Sequence, residues 1–422
     1  MIGVEELVDE LRPRAQHELG GSLAEAVGED AEQRAWALLV EMVEEENRRR
    51  VLASKSSIAP DERTEIAKRL FDLFFRLGPL QQHLDDPQIE EVVVNAHDRG
   101  FVIRAGGAKQ PIDPGLGSEE ETRGLLARIV ARCGRRIDES SPGVDVRLPD
   151  GARLHAIVPP LARRTAITIR RHRMVAEDLN DLVALDTLPR DAADFIRACV
   201  EGGVNLLVSG GTASGKTTTL NALGRAIPED ERVVTIEETA ELRLEEALED
   251  CVALEARAAN LEGVGHVSIR DLVRHALRMR PTRIIVGEVR GPEALDMLSA
   301  MNTGHEGSMG TVHANSARQA LSKLRTYALM AEEQLSADVA TEMIAETIDV
   351  VVHLRLDGRD AKRRVVQIAE VAGLEAGRVL TNDLFRLEGD ALVATGVRPR
   401  FAERLPQLAT VLPLPRWDAE EA

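Results

Sequence analysis

Aromatic residues are scarce in this chain of 422: two Trp, one Tyr and seven Phe make up 2%. Few side chains could therefore stack on nucleobases. Positive charge is short as well, with 53 Lys and Arg against 71 Asp and Glu, a formal net charge of −18. Bulk non-specific binding to nucleic acid is excluded on that balance, and no nucleic-acid partner is expected. The three cysteines, Cys133, Cys199 and Cys251, lie far apart with no C-x-x-C pair, which reads as buried thiols in a reducing cytoplasm. No stretch approaches the roughly 18 apolar residues of a membrane span, and Met1–Glu6 lacks the basic-then-apolar order of a signal peptide. Membrane contact is expected only through partners. Internal repeats are absent too.

What is present centres on Asn205–Thr218. A short apolar strand runs into a glycine-rich turn and then the first turn of a helix. Gly210, Gly211, Thr212, Ala213, Ser214, Gly215, Lys216, Thr217 and Thr218 carry the G-x-x-x-x-G-K-T spacing of a phosphate-binding loop. Backbone N–H groups of such a turn wrap an anion, and the helix start adds the positive end of its dipole. Lys216 is expected to reach the β- and γ-phosphates of ATP, and the Thr217 hydroxyl to ligate Mg²⁺.

Around that loop the chain divides by pattern, with boundaries expected at 1–75, 76–175 and 176–422. Residues 1–75 read as helical. Ala35, Leu38, Leu39, Met42 and Val43 form one apolar stripe, and a second helix starts near Asp61 and stops at Gly78-Pro79. Glu44-Glu45-Glu46 before Arg48-Arg49-Arg50 sets up three i,i+4 pairs on a solvated face. From about residue 80 the period becomes that of strands: 89–95, 101–104, 144–148, 153–158 and 166–170, with a helix at 119–133, making a compact α+β domain. The link at 174–189 leads to the nucleotide-binding domain.

Beyond the loop, buried strands end in chemistry. Arg232–Ile236 delivers Glu237 and Glu238, Arg283–Gly287 delivers Glu288, and Ser308–Val312 delivers His313. Alternating with helices, they describe a doubly wound, mainly parallel sheet with its site at the carboxyl ends. Glu288 suits the support of Mg²⁺ or water beside the loop. Neighbours on a strand face opposite ways, so one of Glu237 and Glu238 points at the nucleotide, and Glu237 is favoured. His305 and His313 match no zinc spacing and read as hydrogen-bonding sensors. Arg147, Arg153, Arg163, Arg164, Arg170, Arg171 and Arg173 make the segment before the link basic, either as a solvated face or as arginine fingers. The last ~35 residues read as a short strand pair and a frayed tail.

Taken together the motifs resemble the secretion ATPases of type II, type IV and pilus-assembly systems. Thr235–Leu242 is similar to their Asp box, Leu277–Glu293 to their Walker B region and Thr303–Ser316 to their His box. Gly78-Pro79-Leu80, Asp86–Asn95, Arg136–Glu139, Asp145–Gly151, Pro159-Pro160 and Thr168–Arg171 resemble the CpaF-type branch, which serves tight-adherence (Flp) pili. The resemblance covers roughly residues 60–385. It implies an α/β, RecA-like P-loop domain preceded by a smaller α+β domain and a helical extension. It also implies a cytoplasmic homo-hexamer, peripheral at the inner membrane, that acts on platform proteins there. By the same likeness Glu237 orients the attacking water, Glu288 supports Mg²⁺ or the water, and His313 senses the γ-phosphate. Arg153 and Arg170 match the arginines that approach the phosphates. Glu238 stands where the family usually has aspartate, and the type II branch's four-cysteine zinc module is missing. The resemblance implies first an ATP-hydrolysing hexameric motor that powers tight-adherence (Flp) pilus assembly or protein secretion across the inner membrane. A conjugative or effector type IV secretion ATPase, a slow nucleotide-dependent switch and a nucleic-acid translocase are the other readings.

Overall fold

The computed structural model describes residues 3–20, 29–105, 107–171, 175–257, 259, 264–358, 360, 362–405 and 408. The chain folds into two compact units, Met1–Arg173 and Met174–Ala422.

The first unit opens with three helices, Val4–Leu19, Glu29–Leu52 and Pro60–Phe75. The first of these lies outside the apolar stripe read from the sequence. Leu7, Val8, Leu11, Ala15 and Leu19 bury its inner face at three- and four-residue spacing, and Pro13 sits within it on the exposed side. Among the described residues the expected i,i+4 pairs do not form. Glu44 pairs with Arg63 at 2.6 Å, Glu45 with Arg14, and Glu46 with Arg49 at i,i+3 and 3.5 Å. Glu44 and Glu45 thus tie three helices together, while Glu46 stays paired within its own helix.

Six antiparallel strands follow: β1 Ile89–Ala96, β2 Arg99–Arg104, β3 Lys109–Ile112, β4 Gly143–Arg147, β5 Arg153–Ile157 and β6 Ala166–Arg170, in the order β3-β2-β1-β6-β5-β4. Strand β3 was not anticipated; Pro111 and its short, exposed length disguise it as an edge. One face of the sheet carries Val92, Val94, Val146, Leu154, Ile167 and Ile169 into a core shared with Leu126 and Val130 of helix Glu119–Arg132. The period-2 alternation leaves the other face open.

In the second unit the 174–189 stretch carries a helix of its own, Leu179–Ala184, capped by the Asp178 carboxylate on the N–H groups of Asn180 and Asp181. The nine strands are β7 Leu206–Gly210, β8 Val233–Glu237, β9 Cys251–Glu255, β10 Arg283–Val289, β11 Met309–His313, β12 Val350–Leu356, β13 Arg363–Glu375, β14 Arg378–Glu388 and β15 Ala391–Ala394. They run β15-β14-β13-β12-β7-β11-β10-β8-β9. From β12 to β9 every pairing is parallel, while β13 to β15 add an antiparallel edge. Leu206, Val208 and Val352 enter one core and Leu207, Val286 and Val351 another, so the central strands are buried on both faces as a doubly wound sheet requires. Strand β10 continues through Glu288 to Val289, two residues past the expected end. Of the strand pair expected in the last ~35 residues only β15 lies there among the described residues, pairing back on β14, and the expected frayed tail at 409–422 lies outside them.

Among the described residues no helix is long and apolar enough to cross a membrane. All three cysteines are free thiols, with Cys199 fully buried and the other two partly exposed. Burial pushes each thiol up, Cys251 to about 11.

Candidate functional site

Strand β7, buried at every position, ends at Gly210, and the helix Lys216–Gly224 begins six residues later. The turn between them passes through left-handed backbone at Ala213 (φ 58°) and at Gly215 (φ 96°). Glycine suits the second position because a Cβ there is strained. The Ser214 hydroxyl donates to the Gly211 carbonyl at 2.9 Å, and the Lys216 ammonium donates to the same carbonyl at 3.0 Å. Thr212 and Ala213 are exposed, and Thr217 and Thr218 partly so. A loop of this shape, closed on itself by short contacts and followed by a helix start, presents main-chain N–H groups to an anion.

Parallel register sets the other groups beside it. His313 pairs with Gly210, Val312 with Val289 next to Glu288, and Val286 with Ile236 next to Glu237. The ends of β7, β11, β10 and β8 therefore stand side by side. Burial, then the charges of Lys216 and Lys323, pull the His313 pKa down, while Glu288 pulls it up. His313 is thus electrostatically within reach of both Lys216 and Glu288, and neutral at pH 7. His305 sits apart, its Nδ1 3.0 Å from the Pro281 carbonyl.

Glu237 is 4% exposed. Its carboxylate accepts the N–H groups of Glu241 (3.0 Å) and Leu242 (3.2 Å), which fixes the turn after β8. Gly287 makes room for it, since a Cβ there would lie 2.7 Å from Glu237 Cγ. Gly287→Ala is accordingly expected to cost about 1–3 kcal/mol of stability, read as a lowered melting temperature; an unchanged melt would show that the Glu237 side chain shifts freely. Glu238 is exposed.

Sequence reasoning missed Arg290. Its guanidinium donates to Glu288 at 2.7 Å and to Glu238 at 2.8 Å, bridging the carboxylates that follow β8 and close β10. That hydrogen bond to Glu288, outweighing burial, raises the Arg290 pKa. The β8–β10 pairing is what brings Glu238 to it. His353 was missed as well: it is 6% exposed, its Nδ1 lies 2.9 Å from Ser209 Oγ, and it also bonds the backbone of Asn315. It joins the base of the phosphate loop to the turn after His313. Burial lowers its pKa. An unfolded imidazole titrates near ~6.5, so this contribution is complete above that pH and is lost as pH falls through it. Wild type is expected to lose about 2 °C more than His353→Asn between pH 7 and 5; equal losses in the two melts would remove His353 from the acid response. A third unforeseen contact is Arg363 of β13, whose Nε donates to the Ala213 carbonyl at 3.0 Å.

In the first unit Arg147, Arg153 and Arg170 stand directly opposite one another across β4, β5 and β6, and Glu91 of β1 continues the row. Glu91 meets Arg170 at 3.5 Å. The row occupies the face away from the core. Arg171 instead donates to the Leu84 carbonyl, and Arg164 pairs with Asp98 at 3.5 Å. Arg163 is exposed, and Arg173 lies outside the described residues.

Thr217 and Glu288 offer hydroxyl and carboxylate oxygen, the donor type for a hard cation such as Mg²⁺, which keeps most of its shell as water and substrate phosphate. Among the described residues no group of three or more His, Cys, Asp or Glu could hold a metal.

Comparison with known proteins gives one family, described as type II/IV secretion system protein, over residues 76–376. A candidate conjugal transfer protein of Mycobacterium tuberculosis is 38% identical over 309 residues, which are 72% of this chain and 86% of that one. Conjugal transfer protein TrbB of Rhizobium radiobacter is 32% identical over 315 residues (74% and 92%). Type IV secretion system protein PtlH of Bordetella pertussis is 34% identical over 329 residues (72% and 96%).

Proposed function

Since the chain belongs to the type II/IV secretion system protein family, we propose that it is an ATP-hydrolysing motor of a conjugative or effector type IV secretion machine. The observation that carries the ATPase part is the closed phosphate loop with His313 and Glu288 aligned at the ends of the adjoining parallel strands. The choice of machine rests on the relatives, whose names speak of conjugal transfer and type IV secretion.

In this reading the amides of Gly210–Thr218 hold the phosphates and Lys216 neutralises the β- and γ-oxygens. Thr217 and Glu288 would hold Mg²⁺, which supplies further positive charge to those oxygens. Glu237, fixed by its amide contacts, orients the attacking water. Neutral His313 reports the γ-phosphate, and Arg153 and Arg170 meet the charge that develops on the transferred group. The working unit is a homo-hexamer, cytoplasmic and peripheral at the inner membrane, with domains at 1–75, 76–175 and 176–422. Domain closure on ATP and reopening after hydrolysis push on membrane platform proteins.

A second reading keeps the same chemistry but serves an Flp pilus. Gly78-Pro79-Leu80 and Asp145–Gly151, which resemble the CpaF-type branch, favour it.

Phosphate release by the full chain tests the motor. Steady turnover that DNA and RNA leave unchanged is expected. Tight ATP binding without turnover would make the protein a switch, and stimulation by DNA or RNA a translocase.

A further inference from the structure

The scarce aromatic residues are not spread evenly. Trp36, Phe71, Phe74 and Phe75, four of the chain's ten, line one cavity of about 590 Å³ in the first unit, between the helices Glu29–Leu52, Pro60–Phe75 and Glu119–Arg132. That volume lies within the roughly 300–1,000 Å³ of small-molecule sites. The walls are ordered by ring contacts: Trp36 meets Phe71 edge-on at 5.7 Å, and Phe71 stacks on Phe75 at 4.9 Å. Trp36 nonetheless stays 37% exposed.

Charge at the cavity is mostly internal. Lys68 binds Asp72 at 3.0 Å and Asp85 at 2.6 Å. Arg76 and Arg132 both grip Glu32, at 3.1 and 3.2 Å, and lie over the rings of Phe71 and Phe75. These cations complete the walls. Arg128 is different: among the described residues it has no carboxylate partner, and its Nη2 makes only a long 3.4 Å contact with the Leu73 carbonyl. Its side chain is exposed at the rim, and desolvation by the nearby protein, then the positive charge of Arg12, depress its pKa. Asp150, also at the cavity, lies exposed in the β4–β5 turn and accepts the Ala152 N–H at 3.0 Å.

We propose that this cavity is a binding site for a small amphipathic anion, with an aromatic body seated against Trp36 and Phe71 and one acidic group on Arg128. Such a ligand would cover the exposed indole and offer the Arg128 guanidinium at the rim a bidentate acceptor. Leu148, Pro149 and Asp150 of the β4–β5 turn form part of the wall, so an occupant touches the hairpin that carries Arg147 and Arg153. The site does not depend on the ATPase reading.

Trp36 provides the test. The chain's other tryptophan is Trp417, so Trp417→Phe leaves Trp36 as the sole indole. Titrating this full-length variant with 8-anilino-1-naphthalenesulfonate is expected to quench Trp36 saturably at one dye per chain. Adding Arg128→Gln should weaken binding at least about tenfold, with Arg128→Lys recovering part of the loss. N-phenyl-1-naphthylamine, the same body without the acid, should bind at least about tenfold more weakly and ignore Arg128→Gln. Absence of saturable quenching, equal affinity of the charged and uncharged compounds, or indifference of the sulfonate to Arg128→Gln in a variant that melts like its parent would each overturn the proposal.

Discussion

Alanine at Arg153 or Arg170 is expected to lower ATP turnover about 100-fold or more while moving ATP affinity less than about threefold. The two side chains stand opposite each other on β5 and β6, with Arg147 on the outer side and Glu91 on the inner. Like charges directly opposite across strands are destabilising, and here three arginines stand in one row that Glu91 continues. Leu154 and Ile169, the neighbouring residues on the opposite face, are fully buried. The strands therefore hold the guanidinium bases in place from behind. A rigid cationic row gains most from charge that appears only as the phosphoryl group transfers, hence the expected split between turnover and binding. Phosphate release and ATP titration on the same preparations check it. Equal losses in the two quantities would assign the arginines to ground-state binding.

Lys216→Ala is expected to reduce turnover by about 10²- to 10³-fold and to weaken ATP binding as well. The lysine opens the helix after β7, and its ammonium rests on the loop's own Gly211 carbonyl at 3.0 Å. Substrate phosphate offers that ammonium a charged acceptor in place of a neutral one. Both ground and transition states lose the charge, so the variant differs from the arginine variants in affecting affinity. Melting should stay close to wild type, which separates lost chemistry from lost fold. Retained turnover would place hydrolysis outside this loop.

Glycine spacing and uninterrupted apolar runs made β7, β8, β10 and β11 legible, because strands buried on both faces have no polar alternation to confuse them. The β13–β14 hairpin went unread for the opposite reason. Its turn uses Ala376 (φ 49°) with Gly377 (φ 74°), and alanine is not a residue that announces left-handed backbone. Its strands alternate imperfectly, with several half-buried positions. His353 and the Glu238 partner of Arg290 were hidden by distance along the chain. Arg290 meets Glu238 from 52 residues away and His353 meets Ser209 from 144; a lone arginine or histidine carries no local signal of such a partner. Glu44 and Glu45 departed from the local spacing because packed helices offered them arginine partners.

The most direct test of a secretion motor is what it holds in the cell. Glu288→Gln should retain ATP without turning it over, and the protein would be recovered from native membranes with its partners and analysed by mass spectrometry. Recovery of conjugation-channel or effector-secretion components is the predicted result. Recovery of a polytopic pilus platform with small pilins, and none of those components, would contradict the type IV secretion assignment and move the same ATPase to the pilus branch.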